Sequence, residues 1–300
     1  MALRGKSINL FLMDGSAIGR VKCTLANWTG VAYKIPRTEI EKCRERDDLK
    51  QSGVYFLFGY SDLTGENVVY IGQAGARKNG EGILNRLQEH KRNPDKDYWT
   101  EAVVFTTSNN SFGPTEISFL ENRFCKIATE SKRYIVKNGN DPTPGNLTEE
   151  KESELEEFID YAKIVMGTLG HKIFEPIISS IKTENDIAVQ MPQDSEPIFY
   201  FERPTGKASG RRTAEGFVVF KGSVVSLKLQ HSCPENVRRY REQYAAEIDE
   251  NGVVLSDILL SSPSAAASFV GGSSLSGNLM WKTGEGKTLK EIESMVLSFP

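Results

Sequence analysis

The chain lacks the features that mark several large classes of protein. Its four cysteines, Cys23, Cys43, Cys125 and Cys233, form no CxxC pair and no cluster with histidine, which argues against a zinc site and against a disulfide framework. No apolar run approaches the roughly 20 residues needed to cross a bilayer, and the N-terminal residues show no secretion signal. We therefore expect a soluble protein of a reducing cytoplasm with no membrane partner.

Strong net charge is also lacking, but the charge is unevenly distributed. The net charge is −3 over 300 residues, so the average composition predicts no polyanionic partner. Residues 145–200 nevertheless carry twelve acids against four lysines, and residues 203–241 carry nine lysines and arginines against two glutamates. A basic run of this kind is typical either of a solvated face or of a surface that contacts DNA phosphates. The residues expected to contact DNA there are Arg211, Arg212, Arg238 and Arg239.

The length predicts two or three structural units, and no internal repeat is seen. We expect an α+β protein, and changes in composition and hydrophobic periodicity along the chain mark the predicted domain boundaries. The predicted segments are a small β unit at 1–50, a central core at 51–146, an acidic amphipathic helix at 147–175, a linker at 176–197 and a C-terminal α+β domain at 198–300. In the last of these, residues 215–229 predict a hairpin, a basic helix is expected from Glu235 to about Ile248, and Trp281 is expected in the core.

Two predicted helices of the central core carry polar residues at unusual places. In "EGILNRLQEHKR", Arg86 and His90 are four residues apart at the edge of an apolar stripe, so both project towards the same seam. In "TEISFLENRFCKIATESKR", Glu121 falls inside the apolar arc, and its helical neighbours offer no cation. Glu121 must therefore find an arginine or a metal ion elsewhere. An ion pair with Arg86 and a solvated helix end at His90 are the structural alternatives.

These helices follow two apolar runs that include tyrosine-containing triplets. Gly53-Val54-Tyr55, Tyr70-Ile71-Gly72, the RxxxH spacing of Arg86 and His90, and the inward Glu121 together resemble the GIY-YIG nuclease family over about residues 53–146. Val54 stands where the family has isoleucine. The family's late asparagine corresponds to Asn138 or Asn140, of which we prefer Asn138. The resemblance implies a core with a three-stranded antiparallel sheet flanked by helices.

The resemblance also implies a function, namely metal-dependent endonucleolytic cleavage of DNA. Tyr55 would accept the proton of the attacking water, helped by Tyr70 and by a lysine such as Lys78, because a cation must lower the pKa of a phenol before it can serve as a base. Arg86 would contact the phosphate, and His90 would assist the water or the leaving group. Glu121 would hold one Mg²⁺ or Mn²⁺ ion, and Asn138 would orient Glu121 or touch the backbone. The further residues expected to contact DNA are Lys78, Lys91 and Arg92.

The C-terminal segment resembles other proteins as well. The run "EGFVVFKGS … SPSAAASFVGGSSLSGNLMWKTGEGKTL" is similar to a bacterial subgroup in which the nuclease module precedes a domain of unknown function. Its "SPSAAA … G … W" part is similar to a small module found beside restriction adenine methylases. This likeness implies a role in restriction, defence or repair in a bacterial or phage cytoplasm. A non-catalytic nucleic-acid-binding protein, a regulatory protein with an acidic partner, and a homodimer stay open, and no small-molecule cofactor is expected.

Overall fold

A computed structural model describes the chain in five segments, and it shows a mixed α+β fold. The chain divides into two compact units, Met1–Pro176 and Ile177–Pro300. The described segments are residues 5–61, 65–75, 82–139, 145–176 and 196–296. Residues 177–195 of the predicted linker therefore lie outside the described residues.

The N-terminal unit is built on a single sheet, which has seven strands in the described part of the chain. In chain order the strands are β1 (Ile8–Leu12), β2 (Val21–Leu25), β3 (Gly30–Pro36), β4 (Gly53–Tyr60), β5 (Asn67–Ala74), β6 (Trp99–Thr107) and β7 (Ile135–Val136). They lie side by side in the order β1-β2-β3-β6-β4-β5-β7. All neighbours are antiparallel except β5 and β7. The strands of the predicted core, β6, β4 and β5, are thus continuous with the three N-terminal strands.

Helices cover both faces of this sheet around its central strand. They are α1 (Ile83–Arg92), α2 (Pro114–Ser131) and α3 (Glu149–Thr168), with 3₁₀ turns at Arg37–Cys43, Asp47–Leu49 and Pro94–Lys96. Side chains alternate along a strand, so Val54, Phe56 and Phe58 pack with α2 and α3 on one face. Tyr55 and Leu57 pack with α1 on the other face. Since both faces are buried, β4 reads as an almost unbroken apolar run.

The acidic segment forms α3, as its spacing predicts. The side chains on its apolar stripe are buried in the same core as α2, and they include Leu155, Phe158 and Ile159. The Thr148 side chain caps the helix by accepting a hydrogen bond from the Lys151 backbone N–H at 3.4 Å. The acidic side chains of the first turn, Glu149, Glu150 and Glu152, lie at the N-terminal end, where the helix dipole favours negative charge.

The C-terminal unit has a second sheet, which contains five strands in its described residues. Its strands are β8 (Phe199–Arg203), β9 (Gly206–Thr213), β10 (Gly216–Val219), β11 (Ile258–Leu260) and β12 (Lys282–Thr283), in the order β11-β10-β9-β8-β12. Its helices are α4 (Glu235–Gln243), α5 (Pro263–Gly271), α6 (Gly277–Met280) and α7 (Leu289–Val296), with a 3₁₀ turn at Ala245–Glu247. Trp281 lies fully buried in this core, as expected, and its indole N–H donates to the Pro263 carbonyl at 2.9 Å.

Two local predictions for this unit are corrected by the structure. The hairpin predicted at residues 215–229 does not form, because β10 pairs with β9 and β11 instead. The second arm of that segment bridges elsewhere, through Val224 to Lys207 and Val253. The basic helix is also shorter than predicted, since α4 ends at Gln243 and a 3₁₀ turn follows.

Across the described residues, every helix is too short or too polar to pass through a membrane.

Candidate active site

The two tyrosines of the central strands lie on the same face of the sheet. In the β4–β5 pairing, Tyr55 is opposite Gly72 and Leu57 is opposite Tyr70. Residues two apart on a strand share a face, so the two phenols point to the side that α1 covers. Their ring centroids are 6.3 Å apart. The strand register alone therefore brings Tyr55 and Tyr70 together.

Gly72 gives the Tyr55 phenol its position. A Cβ atom on Gly72 would lie 2.3 Å from the Tyr55 hydroxyl oxygen, far inside van der Waals contact. The Tyr55 ring thus crosses its neighbouring strand directly over the one residue that has no side chain. With only 1% of its surface exposed, Tyr55 is held as part of the core.

Helix α1 supplies the next two groups. Ile83, Leu84 and Leu87 are buried against the sheet, and this packing turns His90 inward as well. His90 is 4% exposed, and its Nε2 atom lies 2.7 Å from the Tyr55 hydroxyl oxygen, a hydrogen bond between buried groups. The imidazole centroid is 5.3 Å from that of Tyr55 and also 5.3 Å from that of Tyr70. His90 is therefore the centre of an aromatic triad.

Burial sets the protonation of this triad. Burial, together with the charges of Lys96 and Arg86, lowers the pKa of His90 to about 4. His90 is consequently neutral at pH 7. Burial raises the pKa of Tyr55 far above its ordinary value, the Tyr70 hydroxyl adds to the rise, and Arg86 opposes it. The inner pair is thus a protonated phenol hydrogen-bonded to a neutral imidazole.

Arg86 lies one turn before His90 at the accessible edge of the triad. Its guanidinium forms an ion pair with Glu89 at 2.5 Å, and the Arg86 side chain is 41% exposed. The hydrogen bond to Glu89 is the main cause that raises the pKa of Arg86, which stays charged. The same guanidinium interacts with the Tyr55 hydroxyl. One cation is therefore fixed between a carboxylate and the phenol pair.

Glu121 reaches the site from α2 and is half-buried. Burial raises the pKa of Glu121, while hydrogen bonds from the Gln73 side chain and backbone and the charge of Arg86 oppose the rise. Arg86 forms its ion pair with Glu89, and the Glu121 carboxylate accepts hydrogen bonds from Gln73. The charge of Glu121 also raises the pKa of Tyr70, after burial, so the carboxylate acts on the same pocket.

Asn138 fixes the edge of the strand that carries Tyr70. Its Oδ1 atom accepts from the Ile71 backbone N–H at 3.1 Å, and its Nδ2 atom donates to the Ile71 carbonyl at 2.7 Å. The side-chain amide thus pairs with the strand as a further peptide group would, just after β7 ends at Val136. The contact holds Ile71 between Tyr70 and Gly72, and it is made to the protein backbone. Asn140, the alternative assignment, lies outside the described residues.

Some residues of the site carry no signal in the sequence. The Lys96 ammonium lies 3.4 Å from the ring centroid of Tyr70, in the 3₁₀ turn after α1. Gln73 and Glu89 bond to Glu121 and Arg86 respectively. Each of these residue types is common on solvated surfaces, so only the tertiary contacts identify them. Lys78, the lysine that the sequence suggests, lies outside the described residues.

The remaining predicted DNA contacts lie in both units. Lys91 is half-buried and Arg92 is exposed at the end of α1. In the C-terminal unit, Arg239 is exposed on α4, whereas the Arg238 guanidinium donates to the Gln230 carbonyl at 2.7 Å. Arg212 forms ion pairs with Glu196 and Glu293, both at 2.7 Å. Arg211 is half-buried on the neighbouring position of β9.

A metal ion at Glu121 would need further ligands beside this carboxylate. Within the described segments, no three histidine, cysteine, aspartate or glutamate side chains group together as they would around a metal. Mg²⁺ is commonly bound through one or two carboxylates, with water and substrate phosphate as the other ligands. A single half-buried carboxylate braced by Gln73 fits that mode and does not fit a cage made of protein ligands alone.

Comparison with known proteins identifies one part of the chain. Residues 199–293 match the model of a family described as a domain of unknown function, DUF4357. The match runs from β8 into α7, so it covers most of the C-terminal unit, and it agrees with the predicted C-terminal domain of unknown function. No curated protein and no solved structure matches the chain. These comparisons give the resemblance of residues 53–146 no independent support.

Proposed function

We propose that the N-terminal unit is a metal-dependent endonuclease of the GIY-YIG type that hydrolyses phosphodiester bonds in DNA. The observation that carries the proposal is the hydrogen bond between Tyr55 and His90, with the other groups of the family signature gathered around it. Those groups are Tyr70, Arg86 and Glu121. Phenols, a guanidinium and a carboxylate that meet in one pocket, with strongly shifted pKa values, are typical of a catalytic site.

Exposure indicates the side from which DNA would approach. Tyr70, Arg86 and Glu121 are half-buried, whereas Tyr55 and His90 are buried behind them. A phosphate at this edge would meet the Arg86 guanidinium, whose fixed charge and planar donors suit phosphate oxygens. The Tyr55–His90 pair would then act from the inner side.

The reaction assigned to these residues is the hydrolysis of a phosphodiester bond. A water oxygen forms a bond to phosphorus, and the bond from phosphorus to the 3′ oxygen breaks. The proton of the attacking water passes to the Tyr55 hydroxyl while that hydroxyl gives its own proton to the Nε2 atom of His90, so the step forms no free phenolate, which burial of Tyr55 disfavours. The 3′ oxygen leaves with a proton from solvent. The products carry a 5′-phosphate and a 3′-hydroxyl.

Glu121 is the residue that would hold Mg²⁺ or Mn²⁺, with water and phosphate oxygens as its other ligands. When bound, the ion supplies charge that stabilises the developing oxyanion. Gln73 contributes by hydrogen bonding to Glu121 and fixing its orientation. Those bonds also keep the pKa of Glu121 from rising further, and thus favour the carboxylate over the carboxylic acid.

DNA is the substrate favoured by the second half of the chain. The basic stretch at residues 203–241 carries exposed cations such as Lys228 and Arg239, which suit a phosphate backbone. We place the protein in restriction, defence or repair, in a bacterial or phage cytoplasm, as an enzyme that acts alone or as a homodimer. The C-terminal unit would then bring the nuclease to its target.

Glu121→Gln tests the proposal. We expect the wild type to nick supercoiled plasmid in Mg²⁺ and to lose this activity with chelator. The variant should lose at least about 100-fold in rate, as when one charge-stabilising group is removed from an active site, while its affinity for DNA changes little. Glu130→Gln is the matched control, since Glu130 is exposed near the end of the same helix.

The same experiment also tests the alternative function, that of a DNA-binding protein without catalytic activity. Linear, branched and base-modified duplexes should be tested beside the plasmid, so that a structural or chemical preference is not missed. If the wild type binds these DNAs but cuts none of them, the protein is a binding module that retains the fold. If Glu121→Gln cuts as fast as the wild type, the metal assignment is wrong.

A further inference from the structure

Lys96 lies in the site although it belongs to no part of the sequence signature. After α1 ends at Arg92, the chain forms the 3₁₀ turn Pro94–Lys96, and the Lys96 backbone N–H donates to the Asn93 carbonyl at 3.1 Å. The turn directs the side chain back over β5. Its ammonium lies 3.4 Å from the ring centroid of Tyr70, within the range of a cation–π contact.

The charge around this ammonium is unusual. Among the described side chains, the charged or titratable groups that face it are Tyr70 from β5 and Arg86 and His90 from α1. Burial, together with the charge of Arg86, lowers the pKa of Lys96 to about 8. Arg86 is paired with the Glu89 carboxylate, whereas Lys96 lies over the aromatic face of Tyr70.

A half-buried cation held near a second cation is costly, because both are partly removed from water and repel each other. Binding an anion between them would remove that cost. A phosphodiester is such an anion, and its two non-bridging oxygens can accept hydrogen bonds from two separate donors. Arg86 forms an ion pair with Glu89, whereas among the side chains that the structure describes no carboxylate forms an ion pair with Lys96.

We propose that Lys96 is a second phosphate-contacting residue beside Arg86, and that its ammonium binds a non-bridging oxygen of the DNA phosphate that is cleaved. This inference rests on the proposed function. It assigns to Lys96 a DNA contact of the kind that the sequence suggests for Lys78. It also names the charge state in which the site works, since only the protonated ammonium can make the contact.

Charge and packing are separated by two substitutions. Lys96→Met keeps an apolar stem over Tyr70 and removes the charge, whereas Lys96→Arg keeps the charge. We expect Lys96→Met to lower kcat/KM for plasmid nicking by about 10- to 100-fold, the range for loss of a charged hydrogen bond. Lys96→Arg should restore most of the activity. Lys126→Met on the exposed side of α2 is the control, with unchanged kcat/KM.

The pH profile adds a readout that packing would not change. Above its pKa the ammonium of Lys96 loses its proton, so kcat/KM of the wild type should fall as the pH rises through about 8. In Lys96→Arg this alkaline fall should move to higher pH, because arginine does not titrate there. Circular dichroism of each variant establishes that it is folded.

Each outcome decides something different. If Lys96→Met nicks DNA as fast as the wild type with the same alkaline fall, the role of Lys96 is refuted and the proposed function stands. If Lys96→Arg is as inactive as Lys96→Met although both are folded, a positive charge at this position does not support cleavage and the inference is also refuted. If the wild type and Glu121→Gln both leave DNA intact, the proposed function itself fails, and the inference fails with it.

Discussion

The Tyr55 side chain occupies the space that a side chain at position 72 would fill. The phenol of Tyr55 lies over Gly72 on the neighbouring strand, and the space is too small for a methyl group. The hydroxyl then reaches His90, which is too deeply buried to be charged at pH 7. A change at Gly72 therefore acts on the hydrogen bond of Tyr55 without altering any group that carries chemistry.

Gly72→Ala should displace the Tyr55 ring. A Cβ atom 2.3 Å from the hydroxyl oxygen cannot be accommodated unless the ring moves. We expect the free energy of unfolding to fall by about 1–3 kcal/mol, typical of overpacking in a core. The rate of DNA nicking should fall by a larger proportion than the free energy of unfolding. Urea denaturation and plasmid nicking measure the two effects.

Gly75→Ala is the control for this substitution. Its Cβ atom would lie 3.8 Å from the Ile117 side chain, an ordinary contact, so we expect wild-type stability and activity. A Gly72→Ala protein that nicks DNA at the wild-type rate would show that the position of the Tyr55 hydroxyl does not matter for cleavage.

The residues of the site differ in how far the sequence alone can identify them. Helical spacing places Arg86 and His90 on one face. Tyr55 and Tyr70 lie on separate strands, so the sequence groups them only through the family resemblance, and the strand register brings them together. Lys96 has no such periodicity. It enters through a short turn whose direction depends on packing around it, and no spacing rule predicts that direction.

At the scale of elements, β7 and the residue after it complete the edge of the sheet. Strand β7 has only two residues, Ile135 and Val136, which pair with Val68 and Val69 in parallel. Lys137 continues the pairing through its backbone N–H, which donates to the Val69 carbonyl at 2.8 Å. The Asn138 side chain then takes over and bonds to both backbone groups of Ile71. The Asn138 side chain thus continues the hydrogen bonding to β5 after the backbone pairing of β7 has ended.

Asn138→Ala should weaken this edge. It leaves the Ile71 N–H and carbonyl without the two bonds that Asn138 provides, and unpaired polar groups of this kind cost about 1–3 kcal/mol. We expect the free energy of unfolding to fall by that amount and nicking to slow, because Tyr70 and Gly72 flank Ile71. Chemical denaturation and a nicking assay of the same preparation measure both.

Lys137→Ala is the adjacent control. The Lys137 side chain is exposed and its bond to Val69 is made by the backbone, so the substitution should leave stability and nicking unchanged. Equal stability of Asn138→Ala and the wild type would mean that water replaces the amide at no cost.

The elements themselves were largely predictable where a pattern is local. The stripe of Leu155, Phe158 and Ile159 predicted α3, and the apolar runs around Tyr55 and Tyr70 predicted β4 and β5. Partners were less predictable, because pairing depends on residues far apart in the chain. Strand β3 pairs with β6, at Gly30 and Thr107 among other positions, and the turn at Gly222 leads away from the hairpin that its sequence suggests.

Across the whole molecule, the basic stretch of the C-terminal unit serves two purposes. Some of its arginines hold the fold. Arg212 joins Glu196 to Glu293, and the Arg241 guanidinium donates to the carbonyls of Phe269 and Ser226. Other cations of the stretch, Arg239 among them, project into solvent. The net charge of residues 203–241 therefore overstates the number of cations that could contact DNA.

Arg239→Gln and Arg212→Gln should consequently affect different measurements. If Arg239 neutralises one phosphate of B-form DNA, its loss should reduce the slope of log Kobs against log salt by about 0.9 and weaken binding. Arg212→Gln should leave that slope unchanged and lower the free energy of unfolding instead, by up to about 1 kcal/mol, because its two ion pairs are partly exposed. Fluorescence anisotropy with labelled duplex over a salt series measures the slope, and urea denaturation measures the stability.

Lys163→Gln on the acidic helix α3 is the control for charge alone, since it removes one cation outside the basic stretch. It should change neither the slope nor the affinity, because its helix carries an excess of carboxylates that repel DNA. If Arg239→Gln behaves like Lys163→Gln, α4 does not contact the backbone of DNA, and the exposed cations of the C-terminal unit are a solvated face. If instead both arginine variants lower the slope equally, Arg212 must leave its glutamate partners when DNA binds. DNA contact would then require a rearrangement of the contacts that join β9 to α7.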